Sequence, residues 1–194
     1  MDTTSLPSTD AVATGSARRR RPLVVVATLV AIALLAGLLN AGGAQAKSRY
    51  SRHDATVGAA WARSVGRLLN AERQAHHLRP LTMNSKLIRS GHAHNLAMAR
   101  ANTMSHQLPG EAYLGTRVSR AGYKWTWAGE NIGYNGDISL GGVRALEHMM
   151  YNEKAPNDGH KRNILQKNFT QMGIDVYIDR THHKVWLTCD FGRP

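Results

Sequence analysis

The sequence predicts an α+β domain in which helices pack on a sheet. Two observations carry this expectation. Apolar residues recur at helical spacing through residues 56–153, and residues 172–189 switch to strict alternation with a turn between two runs. A third observation, a basic and then apolar N-terminal stretch, sets a leader apart from that domain.

The leader begins with small polar residues over 1–17, the composition of a disordered tail, and its first 22 residues end in Arg18-Arg19-Arg20-Arg21-Pro22. Residues Leu23 to Leu39 then run uncharged, and Ala44-Gln45-Ala46 fits the small-x-small cleavage pattern. A positive n-region, an apolar h-region and that site together predict a signal peptide over 1–46. Left uncut, residues 23–39 sit at the short end of the range for a spanning helix, with the arginines holding its N-terminus inside. Cleavage gives a secreted protein. Retention gives a domain anchored at the outer face of the cytoplasmic membrane.

Removing 46 of the 194 residues leaves enough chain to bury a core without covalent staples. Cys189 is the only cysteine, so no intramolecular disulfide can form, and a buried, inert thiol is expected. Export without disulfides points to a bacterial secretion route. Of the net charge of +12, the leader's four arginines and two aspartates account for +2, which leaves +10 on the rest. Such a domain favours anionic surfaces, acidic lipid headgroups or wall polymers. The positive residues are scattered singly, so nucleic acid is not an expected partner.

Residues 47–55 read as a polar linker, with the first helix under way by residue 63. Val57, Trp61, Val65, Leu68 and Leu69 recur at threes and fours from about Thr56, and Pro80 stops the pattern. Asn84 is a good N-cap for a second helix running to about Ala101, with Leu87, Gly91, His94 and Met98 on one face. A short amphipathic helix is expected over 114–121, a strand within 122–134, and a third long helix over 140–153 despite Gly141-Gly142. Pro156-Asn157-Asp158-Gly159 breaks that helix. Met172, Ile174, Val176 and Ile178 alternate as a half-buried strand, and Val185, Leu187 and Cys189 form its hairpin partner.

Four clusters hold polar residues in contexts too particular for random loop: Met104-Ser105-His106, Gly129-Glu130-Asn131-Ile132, Tyr151-Asn152-Glu153, and Gly159 to Leu165. Two histidines and two glutamates could hold a divalent ion, since imidazole and carboxylate together suit zinc. The Glu130–His160 separation excludes a compact motif such as H-E-x-x-H, so assembly must come from the fold. His94, on an apolar helix face, reads as a bonded core histidine. Trp125 and Trp127 read as packing residues, and Ser105 is a poor nucleophile because adjacent residues rarely face each other.

The order of these clusters resembles the CAP superfamily, also called the SCP domain, in its bacterial secreted branch. The resemblance rests on Leu69-Asn70-Ala71-Glu72-Arg73, Leu78-Arg79-Pro80-Leu81, His94 to Ala99, Ser105-His106, Ala121-Gly122-Tyr123, Gly129-Glu130-Asn131-Ile132 and Gly159 to Leu165. It covers about Leu68 to Phe191, within a domain drawn over 64–194. It implies a three-layer α-β-α sandwich with a central, mostly antiparallel sheet. It also implies a cleft tetrad of His106, Glu130, Glu153 and His160, with Glu147 the rival to Glu153, and a metal held by His106 and His160. Sterol or other lipid binding in some members and divalent metal in others imply a binding module rather than an enzyme. The alternative is a metal-dependent hydrolase of wall peptides or proteins, with Glu130 or Glu153 as general base. A third reading is an adhesive surface protein using its positive charge.

Overall fold

The computed structural model describes residues 51–194; the leader predicted over 1–46 lies outside the described residues. Among the described residues no helix is long and apolar enough to cross a membrane. Helix α1 spans Arg52–Ala75, four residues earlier than the apolar spacing indicates, because Ser51 caps it by accepting the Asp54 N–H at 3.0 Å. Residues 52–63 therefore belong to the same packed helix as the chain that follows. Strand β1 is Thr82–Met83, a two-residue element too short for any periodicity to reveal. Helix α2, Ser85–Ala101, starts at its Asn84 cap and ends at Asn102, which takes a left-handed φ of 48°.

Helix α3 spans Leu114–Arg120, strand β2 Trp127–Asn135 and helix α4 Leu140–Tyr151. Gly142, within the first turn of α4, is required there. A Cβ at that position would lie 2.1 Å from the Asp137 carbonyl oxygen. A short helix α5, Gly159–Ile164, follows the Pro156 break, and β3 (Gln171–Asp179) and β4 (Lys184–Arg193) form the expected hairpin. The sheet runs β1-β3-β4-β2, antiparallel except where β1 joins β3.

Both faces of the sheet are covered. Met172, Ile174, Val176, Ile178, Val185, Leu187, Cys189 and Phe191 point to the side of α1 and α4, where they meet Val65, Leu69, Val143 and Leu146. Tyr177 and Trp186 point to the α2 side and meet Met98 and Leu108. Gly173 lets α2 seat directly on the sheet: a Cβ there would lie 2.2 Å from backbone atoms of Leu87 and Ile88. The strands expected to be half buried are thus buried on both faces, as the middle layer of a three-layer α-β-α sandwich. Cys189 is free and buried within it. Helix α5 is tied to α1 by the buried Arg73, whose guanidinium donates to the carbonyls of Ile164 (2.6 Å), Gln166 (3.0 Å) and Arg79 (3.0 Å).

Candidate functional site

Strand β2 turns successive side chains to opposite faces of the sheet, so Glu130 faces α2 and α3 while Asn131 faces α4 and α5. This alternation places one half of the predicted tetrad on each side. On the α2–α3 side, His106 Nδ1 lies 2.8 Å from Glu130 Oε1. The buried Glu130 carboxylate is gripped from behind by Arg117 of α3, with Nη2 donating to Oε1 at 3.0 Å and Nη1 paired with Oε2 at 2.8 Å. The same Nη2 donates to the His106 carbonyl at 3.0 Å, so one guanidinium holds both members of the dyad.

His94 is a bonded core histidine, as the sequence indicates. Its Nδ1 lies 2.8 Å from Glu111 Oε1, and its Nε2 is 3.9 Å from Glu130 Oε2. Burial alone would push the Glu130 carboxyl up. The hydrogen bonds from His106 and Arg117, with Arg117's charge, outweigh that and bring it down to about 2. Asp190 lies opposite Glu130 in register on β4, and burial together with the Glu130 charge pushes its carboxyl well up. The two neighbouring carboxyls are thus pushed in opposite directions.

On the opposite side, Glu153 follows the end of α4 and reaches His160 in the first turn of α5, with Oε1 2.5 Å from Nδ1. Its Oε2 accepts the backbone N–H groups of His160 (2.9 Å) and Lys161 (3.4 Å), filling acceptor positions at the start of α5. Glu147, the rival position, lies elsewhere: it is fully buried between α4 and α1, facing Glu72. Burial, then the Glu72 carboxyl, raises Glu147 to about 9.

Asn131 and Asn163 link the two dyads. Asn131 Nδ2 donates to the His160 carbonyl at 3.1 Å, and Asn163 Nδ2 donates to the Glu130 carbonyl at 3.1 Å and to Asn131 Oδ1 at 2.9 Å. Both lie in the sequence clusters already singled out, yet nothing in their spacing indicates that they are the bridge. Arg117 and Glu111 are absent from the sequence reading. The available signal for Arg117 was an arginine beside Val118 on the inward face of a short helix. Ser105 Oγ donates to the Gln107 carbonyl at 2.8 Å and accepts the Gln107 N–H at 3.2 Å, so it holds a turn.

Each histidine of the tetrad uses Nδ1 toward a carboxylate. With the proton there, Nε2 carries the lone pair, which is the tautomer of carboxylate-oriented zinc ligands. Each imidazole therefore has the donor chemistry of a zinc ligand. Among the described residues no group of three or more His, Cys, Asp or Glu is spaced to hold a metal, so further positions would fall to solvent or a bound ligand.

The α-β-α sandwich is the fold shared with solved SCP (CAP) domains. The sequence profile of the cysteine-rich secretory protein (CAP) family matches residues 67–191, and the chain belongs to that family. It is 31% identical over 115 residues to YkwD of Bacillus subtilis, a protein described as uncharacterised. That match takes in 59% of this chain and 42% of YkwD, so the chain spans less than half of that relative. An extracellular SCP-domain protein of Bacillus anthracis superposes with a TM-score of 0.63 at 26% identity, over 74% of this chain and 44% of that one. An outer surface protein of Borrelia burgdorferi shares the fold at a TM-score of 0.58 and 15% identity, over 69% of this chain and 92% of that one.

Proposed function

We propose that this chain is an exported bacterial CAP-domain protein that binds a divalent metal or a small ligand such as a lipid in the cleft of His106, Glu130, Glu153 and His160. The observation that carries the reading is the matched pair of dyads, each presenting one carboxylate-oriented imidazole and joined through Asn131 and Asn163. Zinc is the metal of choice for such donors, with His106 and His160 as its ligands. Export is supported by the signal-peptide pattern of residues 1–46 and by the extracellular protein of Bacillus anthracis that shares the fold.

Isothermal titration with zinc chloride at pH 7.5 tests the metal reading. A saturable heat is expected from the full chain and none from His106→Ala/His160→Ala. Binding should weaken on acidification, because an imidazole must be neutral to ligate. No heat from the parent chain, or equal heat from the double variant, would defeat the metal reading.

A further inference from the structure

A second surface lies outside the tetrad, at the end of the sheet where β2 begins. Lys124-Trp125-Thr126-Trp127 are four consecutive exposed residues, and both indoles, expected from the sequence to be packing residues, leave 41% and 44% of their surface open. Tyr113, the residue before α3, is 63% exposed. The Tyr113 and Trp125 rings converge on Gly115, where a Cβ would meet Trp125 Cζ2 at 2.7 Å and Tyr113 Cε2 at 3.1 Å. Trp125 is held in place, since its Nε1 donates to the Gly115 carbonyl at 3.2 Å and to Ser119 Oγ at 3.0 Å. A core would have covered these rings. Here Trp125 is fixed and left open.

Along this segment the charge has one sign. No Asp or Glu occurs between Glu111 and Glu130, while Arg120 and Lys124 are exposed on the same segment. Trp127 and exposed Arg193 pair in register and, by the alternation of the strand, turn to the opposite face of the sheet. Arg117, the other cation of the segment, is committed to Glu130. A held indole and an exposed tyrosine on a segment whose exposed charges are cationic match the interface of an anionic bilayer. Tyr and Trp settle there at headgroup depth, and Lys and Arg meet lipid phosphates.

We propose that Tyr113 and Trp125, with Arg120 and Lys124, form a face that docks this domain on an anionic lipid bilayer. The face is distinct from the tetrad cleft, so the inference stands or falls independently of metal binding. Docking would hold the domain against the membrane whether or not the leader has been removed.

The test uses the full chain added to vesicles of phosphatidylglycerol and phosphatidylcholine whose acyl chains carry bromine, which quenches tryptophan in contact with lipid. The sequence has four tryptophans, none of them in the leader; Trp186 is fully buried, and Trp61 lies on α1. Loss of quenching in the Trp125→Phe variant distinguishes docking of this face from mere tethering by an uncut leader. Emission is expected to be quenched, and the quenched fraction to fall by about half or more in Arg120→Glu/Lys124→Glu, which keeps all four indoles. Trp125→Phe should remove the quenched component, and Trp127→Phe should leave it in place. Absence of quenching, equal quenching on pure phosphatidylcholine, or unchanged quenching in the charge-reversed variant would overturn the proposal.

Discussion

Glu130 reaches His106 from a strand inside the sandwich, whereas Glu153 reaches His160 from a connection at the surface; their side chains are 3% and 23% exposed. Glu130 requires a counter-charge, because an ionised carboxylate at that depth is costly unless paired and hydrogen-bonded. Arg117 supplies it. Glu153 requires none beyond His160 and accepts the backbone N–H groups that open α5. One dyad is therefore part of the architecture and the other is mounted on it. A similar contrast separates Glu130 from Glu147. Both are buried, yet one is brought down to about 2 by a guanidinium and an imidazole, and the other is raised to about 9 beside a second carboxyl. In each case the partner decides the ionisation as much as the depth does.

The sharpest way to break this contrast is Arg117→Met, which strands the Glu130 charge. Urea denaturation near neutral pH should show a loss of about 3–5 kcal/mol, with Arg117→Lys in between. The acid limb should change too. A lowered carboxyl contributes stability that is complete above its ordinary range and lost as pH falls toward about 2. Without Arg117 that loss should begin at higher pH.

Glu147→Gln tests the opposite case. Its raised carboxyl contributes stability that is complete below the ordinary range near pH ~4.3 and is lost as pH rises through about 9. Over that window the folded state holds a proton that the unfolded chain has released. The amide needs no such proton, so the variant should gain about 1–3 kcal/mol over the parent at pH 8. Its stability should also fall less steeply between those limits.

The smallest effect on folding belongs to Glu153→Gln, less than about 1 kcal/mol for a partly exposed pair. Zinc affinity by titration should nevertheless fall about 10- to 100-fold, since the carboxylate orients His160. Equal stability losses from the Glu153 and Arg117 variants would erase the distinction between a mounted dyad and a built-in one.

Much of this fold was legible in the chain. Asn84 as a cap, the third long helix through Gly141-Gly142 and the C-terminal hairpin follow from local chemistry, which is why the sequence states them. Strand β1 and helix α5 are too short to complete a period, and their positions depend on β3 and on Arg73. The four tetrad residues were named through resemblance, not spacing. Their supports were hidden because they are tertiary: Arg117 acts on residues 11 and 13 positions away, and Asn163 on residues 32 and 33 away. Burial on both faces was also unreadable, since Tyr177, Trp186 and Thr188 carry polar atoms that alternation assigns to solvent.

The central claim is that two separately built dyads offer their imidazoles to one ligand. Crystals soaked in zinc and recorded at the zinc absorption edge test it most directly. The account predicts an anomalous peak within about 2.0–2.1 Å of Nε2 of both His106 and His160, in the same cleft. Zinc bound elsewhere, or on only one of the two histidines, would contradict it.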